Sequence, residues 1–347
     1  MSWASNTPLV RGFARRKAAA QFNLINGFIY SQIIGVVVET GLLEFLSDGI
    51  HSLEEVAGHC GLSHHAADRL LRAARSLELV ESPVAGGWSL GVAGAPLSSN
   101  EGAKAMARHR DMIYRDITDL LDLLRDDRRS PTRLSNFWSY AAQDEAEPNS
   151  ASDYSALMAA TQPMVAEQIV HRYGFGRHSK MLDIGGGSGA FAAAVAEVAP
   201  QLDIGIFDLP EVMPSTAERL AALGLEERIT AHPGSFITDA LPSGYDLITL
   251  NRILHDHDDP IVTALLAKIQ ASLPANGRLL IIEPMAETRG AEPMGDGYFG
   301  LYLWAMRSGR PRSLKEYRQM LKNAGFSRSK EIKTSQPLIT KAIVADK

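Results

Sequence analysis

The chain has 347 residues, of which 45% are hydrophobic and 22% are charged, and its formal net charge is -5. This length accommodates about two domains, and the composition supplies enough apolar surface for folded cores, which argues against disorder. The mild negative charge disfavours general nucleic-acid binding, because a protein that neutralises many phosphates needs an excess of cations. The single cysteine, Cys60, excludes an intramolecular disulfide framework and a cysteine-based zinc cage, and it fits a reducing cytoplasm.

The first predicted element is a helix over residues 18–46, in which apolar residues recur at helical spacing. Its purely apolar run, Ile33 to Val38, is far shorter than the roughly 20 residues that a membrane-spanning helix needs. We therefore expect a core or interface helix that is not removed from the chain. Because its apolar residues lie on more than one face, we expect it to pack against a partner subunit; the alternative is the central helix of a monomeric core.

Residues 52–97 predict a winged helix, made of a helix, a turn, a second helix and a β-hairpin. Ser52 and Glu55 have the spacing of a capping box, and Ser63 can cap the second helix. A winged helix often binds DNA, but here the second helix mixes arginines with acidic residues, as a solvated helix face does. We therefore do not expect it to bind nucleic acid, and a DNA-binding regulator remains the alternative class of function.

Residues 104–170 indicate helices, with a polar loop at 143–153, and from residue 174 strands and helices alternate. Such alternation predicts a parallel sheet that is covered on both faces. The predicted strands are 180–184, 204–207, 229–232, 247–250, 278–283, 330–334 and 340–344, and the predicted helices are 190–198, 212–223, 261–273 and 314–324.

A glycine-rich turn joins the first strand of this sheet to the first helix, in the sequence Met181 to Gly189. Glycines are needed where a ligand approaches the backbone closely or where φ is positive; a plain tight turn is the alternative. Asp183 precedes the turn, and a carboxylate there would repel a pyrophosphate but suit a cationic ligand. Asp208 ends the next strand about 20 residues further on, where it can accept hydrogen bonds from both hydroxyls of a ribose. Together these residues favour S-adenosylmethionine over a dinucleotide.

The next two strands also end in residues that carry chemistry. Phe236 could lie against an adenine ring while Ser235 bonds to its edge, although Phe236 could equally be core. The fourth strand leads to a segment with His255 and His257, and a histidine suits the removal of a hydroxyl proton because it titrates near neutral pH. The segment also looks like a metal cluster, but contiguous ligands on one loop cannot all face one ion. We therefore expect no metal and assign His257 to a solvated position.

These motifs together resemble the O-methyltransferases typified by the plant caffeate enzymes and acetylserotonin O-methyltransferase. The resemblance rests on DIGGGSG, IFDLP, GSF, LHDHDDP and the closing GRPRSLKEYRQMLKNAGF, and it covers nearly the whole chain. It implies an α/β Rossmann-like methyltransferase domain with an N-terminal all-helical and winged-helix dimerisation domain. The implied division is a dimerisation domain at 1–110, a helical linker at 111–173 that contributes to the acceptor pocket, and a catalytic domain at 174–347.

The resemblance also implies roles for individual residues. His255 matches the general base, Glu283 orients that histidine, and Asp256 touches the substrate. The residues expected to hold S-adenosylmethionine are Asp183, Gly185, Gly187, Asp208, Leu209, Ser235, Phe236 and Arg252. Two positions depart from the family's pattern. Ser235 stands where the family usually has Asp, and Pro311 stands where a second histidine-orienting Glu falls, so that His255 would rely on Glu283 alone.

Within this family, the opening RGFARRKAAAQFNLINGFIYSQ, LHDHDDP and YFGLYLWAMRSGRPRS are similar to the bacterial carotenoid branch, which methylates the tertiary 1-hydroxyl of an acyclic carotenoid. A carotenoid needs a long apolar site, and we expect Tyr302, Met306 and Met158 to contact the substrate. The resemblance implies a cytoplasmic homodimer, with peripheral membrane contact as an expected route to a lipophilic acceptor. A phenol, a polyketide or a tetrapyrrole, methylated at oxygen or carbon, is the alternative acceptor.

Overall fold

The computed structural model describes residues 8–138 and 150–347, with side chains described for 12–138 and 157–347. The chain forms two compact units, Met1–Arg110 and Asp111–Lys347. The predicted separation of a linker at 111–173 from a catalytic domain stays a prediction. Most of the predicted loop at 143–153 lies outside the described residues, and its last four residues already belong to a helix, Ser150–Ile169.

The first unit begins with a helix, α1, that differs from the prediction at both ends. It spans Pro8–Glu39, and a separate short helix, α2, spans Leu42–Phe45. The break follows from Gly41, whose φ of 63° is left-handed, a conformation that glycine adopts at little cost. Within the described residues, Gly12–Glu39 is the one stretch that by length and composition could cross a membrane, a test that core helices of soluble proteins also pass.

The winged helix is confirmed in the rest of the first unit. Ser52 Oγ accepts a hydrogen bond from the Glu55 amide at 3.2 Å, and the Glu55 carboxylate accepts one from the Ser52 amide at 2.7 Å, which completes the capping box. Ser63 caps the second helix. The helices are α3 Leu53–Cys60, α4 His64–Ser76, α5 Gly94–Ser98 and α6 Glu101–Asp116, and the strands are β1 His51–Ser52, β2 Val80–Glu81 and β3 Gly87–Leu90, in the order β1-β3-β2.

The second unit contains a seven-stranded sheet in the order β6-β5-β4-β7-β8-β10-β9. The strands are β4 Lys180–Ile184, β5 Asp203–Asp208, β6 Ile229–Pro233, β7 Leu247–Asn251, β8 Arg278–Glu283, β9 Arg328–Ile332 and β10 Lys341–Asp346. All neighbouring pairs from β6 to β8 are parallel, whereas β10 runs antiparallel to both β8 and β9. The predicted α/β, Rossmann-like architecture is therefore confirmed.

The second unit has helices before its first strand and between its later strands. They are α7 Leu120–Arg125, α8 Arg133–Phe137, α9 Ser150–Ile169, α10 Ala190–Val198, α11 Met213–Leu223, α12 Asp259–Ser272, α13 Phe299–Met306 and α14 Leu314–Asn323, and a π-helical turn at Pro293–Tyr298 runs into α13. Separate apolar clusters lie on the two faces of the sheet, as expected of a parallel sheet that helices cover on both sides.

The register of the parallel strands determines where the functional residues meet. Ile184 at the end of β4 pairs with Phe207 of β5 and with Leu250 of β7, and Asn251 of β7 pairs with Ile282 of β8. The segments that follow β4, β5, β7 and β8 therefore leave the sheet at one edge. In open α/β sheets this carboxyl edge is where ligands bind.

Candidate active site

A cavity of about 630 Å³ lies at this edge of the sheet. Its walls come from the glycine turn, from the ends of β5, β6 and β7, and from helix α9. The lining residues are Ser135, Trp138, Met158, Ala159, Gln162, Gly185, Gly186, Gly187, Ser188, Ala190, Asp208, Leu209, Val212, Gly234, Ser235, Phe236, Ile237, Ile253, Asp256, His257, Ile261, Met306, Arg307 and Ser308. The wall is therefore mostly apolar, with a few polar groups, as in many small-molecule sites.

The glycine turn and the end of β5 form one side of the cavity. Gly185 and Gly187 have φ angles of 69° and 56°, and a Cβ on Gly185 would come within 2.3 Å of Ile253 Cδ1. Asp208 accepts hydrogen bonds from the amides of Gly187 at 2.7 Å and Leu209 at 2.8 Å, and burial raises the pKa of this carboxyl. All four of these predicted donor-binding residues line the cavity.

Asp183 lies behind the turn rather than in the cavity wall. Its side chain is buried, and its Oδ1 accepts a hydrogen bond from Thr249 Oγ1 of the neighbouring strand at 2.6 Å. Burial raises the pKa of Asp183 to about 7. A Cβ on Gly186 would come within 2.8 Å of Asp183 Oδ2. In this structure Asp183 therefore lies beneath the turn and outside the cavity wall, and its contact with the donor stays a prediction.

The segment after β6 contributes both of the predicted residues to the cavity. Ser235 Oγ accepts a hydrogen bond from the Ile237 amide at 3.2 Å. Phe236 is half-buried and meets His257 edge to face at a centroid distance of 5.2 Å. Phe236 also packs against the apolar cluster of one sheet face, which agrees with the core alternative, while its contact with an adenine stays a prediction. The Lys268 ammonium donates a hydrogen bond to the Phe236 carbonyl at 2.7 Å and so anchors the segment after β6.

Arg252 connects the end of β7 to helix α9 and does not line the cavity. Its φ is 57°, and its guanidinium donates to Thr161 Oγ1 at 2.7 Å, Gln162 Oε1 at 2.6 Å and the Met158 carbonyl at 3.0 Å. Met158 and Gln162 themselves line the cavity. Arg252 therefore determines where α9 stands in the wall.

The histidine loop, residues 254–257, follows β7 as a short 3-10 turn, Leu254–Asp256, and the residue after it. His255 is 5% exposed, and its Nδ1 is hydrogen-bonded to Oε2 of the fully buried Glu283. The other oxygen, Oε1, accepts hydrogen bonds from the amides of Ile253 at 3.0 Å and Leu254 at 2.8 Å. One carboxylate therefore holds both the ring and the backbone that carries it.

Asp256 lies on the opposite side of the imidazole and does reach the cavity. Its Oδ1 is 3.0 Å from His255 Nε2. Burial alone would lower the pKa of His255, but the charges of Asp256 and Glu283 outweigh it and raise that pKa to about 10. For His257, which also lines the cavity, burial lowers the pKa. The two histidines therefore have opposite electrostatic environments, and the solvated position predicted for His257 is wrong, since its ring faces Phe236.

The three predicted substrate positions on helices are placed differently. Met158 and Met306 line the cavity, whereas Tyr302 is 6% exposed and lies behind Trp138, whose Nε1 donates to the Tyr302 hydroxyl at 3.2 Å. Trp138 and Tyr302 meet edge to face at 6.5 Å. The sequence analysis missed Trp138 as a wall residue, because no local pattern relates position 138 to a helix more than 160 residues later.

The acidic and histidine side chains of LHDHDDP face different partners. Asp258 Oδ1 accepts a hydrogen bond from the Gly309 amide at 3.0 Å, and Asp259 pairs with Arg312 at 2.6 Å. Among the residues that the structure describes, no group of three or more His, Cys, Asp or Glu side chains is placed to hold a metal ion.

Comparison with known proteins gives two family matches. A family described as the O-methyltransferase domain matches residues 117–327, and one described as the O-methyltransferase dimerisation domain matches residues 22–100. Demethylspheroidene O-methyltransferase of Rhodobacter capsulatus is 38% identical over 98% of this chain and 85% of its own length. The enzyme of that name from Cereibacter sphaeroides is 34% identical over 99% of this chain and 90% of its own length. Acetylserotonin O-methyltransferase of Bos taurus is 30% identical over 87% of this chain and 90% of its own length.

Solved structures share the fold. The crystal structure of human N-acetylserotonin methyltransferase in complex with SAM superposes with a TM-score of 0.79, at 24% identity, over 95% of this chain and 97% of that chain. The structure titled PigF with SAH has a TM-score of 0.77, at 24% identity, over 95% of this chain and 99% of that chain. At this identity the likeness concerns the fold alone.

The Glu283→Gln variant tests the electrostatics of the buried pair. The amide keeps the size of the carboxylate but loses its charge, so we expect the pKa of His255 to fall from about 10. NMR titration of the imidazole measures this, with exposed Glu226→Gln as the matched control. An unchanged His255 titration would contradict the pairing.

The same pair gives a pH dependence of stability. The folded-state pKa of His255 is raised from 6.5 to about 10, so its contribution to the free energy of unfolding is complete below pH 6.5 and is lost as the pH rises through 10. We expect this decline to be shallower in Glu283→Gln than in wild type or Glu226→Gln.

Proposed function

We propose, from the premise that this chain belongs to the S-adenosylmethionine-dependent O-methyltransferase family, that it methylates a hydroxyl of a lipophilic acceptor, namely the tertiary 1-hydroxyl of an acyclic carotenoid. One observation carries this proposal: the glycine turn with Asp208, the residues Asp256 and His257 beside His255, and an apolar wall all line a single cavity. The two relatives named demethylspheroidene O-methyltransferase, which match almost the whole chain, support the carotenoid acceptor.

The residues at the glycine turn fit S-adenosylmethionine, the expected methyl donor. Gly187 leaves the backbone open to close approach, because its φ is positive and nothing lies within 4 Å of where its Cβ would be, while Gly185 makes room for Ile253. The carboxylate of Asp208 faces the same space and suits ribose hydroxyls, and the ring of Phe236 suits an adenine. When bound, the donor supplies an electrophilic methyl group on a sulfonium.

We assign the general-base role to His255. Methyl transfer to the acceptor oxygen would break a carbon–sulfur bond of the donor, which would leave as a neutral thioether. The hydroxyl proton must leave the oxygen at the same time, and Nε2 of His255 takes it while Glu283 holds Nδ1–H and stabilises the imidazolium. Asp256 Oδ1 lies 3.0 Å from this nitrogen, and Asp256 lines the cavity, where it can meet the acceptor's hydroxyl. The side chains of His255 and Glu283 are both buried.

The acceptor side of the cavity is apolar. Trp138, Met158, Ile253 and Met306 all contribute to it. A lipophilic chain would bury its surface there, at about 25 cal/mol per Å² of apolar area. A phenol or polyketide would use the same base, whereas a carbon acceptor such as a tetrapyrrole would not need His255 to take a hydroxyl proton.

The family match at residues 22–100 supports a homodimer. Large apolar side chains in the same range are exposed in the single chain: Phe22, Leu24, Ile25, Phe28 and Ile29. A second copy of the chain would cover such a face. The DNA-binding alternative finds little support, since Arg72 on the second winged-helix helix already pairs with Asp68 at 2.8 Å.

Peripheral membrane contact would give the enzyme access to a lipophilic acceptor. Four basic residues, Arg11, Arg15, Arg16 and Lys17, precede the first acidic residue of the chain, Glu39. We expect co-sedimentation with vesicles that contain anionic lipid to exceed that with zwitterionic vesicles, because cations near a membrane surface favour anionic headgroups. Equal, negligible sedimentation with both would contradict membrane contact.

The His255→Gln variant tests the reaction. With labelled donor, we expect wild type to methylate an acyclic hydroxycarotenoid in preference to phenols and tetrapyrroles, and His255→Gln to lose about 100-fold or more in turnover with nearly unchanged donor affinity. His171→Gln, at an exposed position, is the control. Wild-type turnover in His255→Gln would remove the base assignment, and preference for another acceptor would remove the carotenoid assignment.

The pH profile tests the protonation state of the base. Because the pKa of His255 is raised to about 10, the neutral imidazole is the minor form at pH 7. We expect kcat to rise with pH between 7 and 10, by at most about tenfold per pH unit. A flat profile over this range would show that deprotonation of His255 does not limit the reaction.

A further inference from the structure

The carbonyl side of the histidine loop is held by a single short segment, residues 308–312. Four successive carbonyls of the loop accept hydrogen bonds from this segment. The bonds run from Arg312 Nη1 to Leu254 O (2.6 Å), from the Arg310 amide to His255 O (2.9 Å), from Ser308 Oγ to Asp256 O (2.6 Å) and from Arg312 Nη2 to His257 O (2.8 Å).

Arg312 makes two of these four bonds, and it does so from a fully buried position. Its Nε and Nη2 also donate to Asp259 Oδ1, at 2.9 and 2.6 Å. A guanidinium has five donors in a rigid plane, so one side chain can hold both ends of the loop and a carboxylate together. A lysine ammonium is a single point of charge and cannot span the same acceptors.

The segment approaches the loop so closely that a side chain is excluded at Gly309. A Cβ there would lie 2.0 Å from the His255 carbonyl oxygen, and the φ of Gly309 is 73°. The contact is therefore a backbone-to-backbone fit, which leaves the loop little room to shift.

This arrangement bears on Pro311, which stands where the family resemblance places a second histidine-orienting Glu. Proline offers neither a carboxylate nor an amide donor. Next to it, the Arg310 amide binds the carbonyl of His255 itself, and Arg312 binds carbonyls before and after it, those of Leu254 and His257. Orientation of the histidine thus comes from Glu283 on the amide side of the loop and from residues 308–312 on the carbonyl side.

We infer that Arg312 is a positioning residue for the reaction: it holds the histidine loop so that Nε2 of His255 and the Asp256 carboxylate stay aligned at the cavity. Arg312 does not line the cavity and acts only through the loop. The inference rests on the proposed role of His255 as the base.

The Arg312→Lys variant is the main test. A displacement of the base by about 1 Å costs up to 100-fold in rate, so we expect kcat to fall about 10- to 100-fold while KM for the donor changes less than about twofold. The rising limb of the pH profile should also move to lower pH, because the Asp256 charge no longer lies close to His255. A purely structural role would not move this limb.

The matched control is Arg228→Lys. Arg228 also donates to two carbonyls, those of Ala196 at 3.2 Å and Ala199 at 3.3 Å, but remote from the cavity. We expect its kcat and pH profile to equal those of wild type. Ser308→Ala removes the bond to the Asp256 carbonyl and also a hydroxyl from the cavity wall, so its pH profile is the deciding readout. We expect kcat to fall about fivefold, in line with one lost hydrogen bond, and the rising limb to move to lower pH. This variant decides the matter if Arg312→Lys does not fold.

Wild-type kcat and an unmoved pH limb in folded Arg312→Lys would overturn the inference, as would equal losses in Arg312→Lys and Arg228→Lys. If Arg312→Lys does not fold, an unmoved pH limb in Ser308→Ala overturns it. The base proposal fails separately: it fails when His255→Gln keeps turnover. If His255→Gln is inactive and folded Arg312→Lys is as active as wild type, only the positioning role of Arg312 is lost.

Discussion

The site depends on one buried carboxylate. Glu283 ends strand β8 with no exposure to solvent, and it accepts hydrogen bonds from two successive amides and from the imidazole of His255. A buried charge is stable only when it is fully hydrogen-bonded, so the chain after β7 must turn toward Glu283 at this point. The turn of the histidine loop, the orientation of the His255 ring and the position of its Nε2 away from Glu283 all follow from this requirement.

Features that depend on neighbouring residues could be predicted from the sequence. The capping box of Ser52 and Glu55 spans four residues, and the strands and helices of the sheet follow from apolar periodicity, so the fold class could be inferred before the structure. Gly185, Gly187 and Asp208 could be placed at one edge because parallel strands end together. The end of helix α1 before Gly41 could not be predicted in this way, since nothing in the apolar pattern indicates that the Gly41 backbone is left-handed.

The rest depends on contacts between distant parts of the chain. Asp183 was expected to face a ligand, but its side chain faces Thr249 across the sheet, a choice that is decided by the neighbouring strand. Tyr302 was expected in the wall, yet Trp138 lies in front of it. Arg312 carried no signal of its own, because a buried arginine and an exposed one look alike in a sequence until their acceptors are known.

The backbone and the side chain of Met158 have different partners. Its carbonyl accepts a hydrogen bond from Arg252, and its side chain faces the cavity. Every residue type has that carbonyl, so the side chain can be exchanged while the link from α9 to the end of β7 persists. At this position the shape of the cavity wall and the link to β7 therefore depend on different atoms, so a substitution can change the first and keep the second.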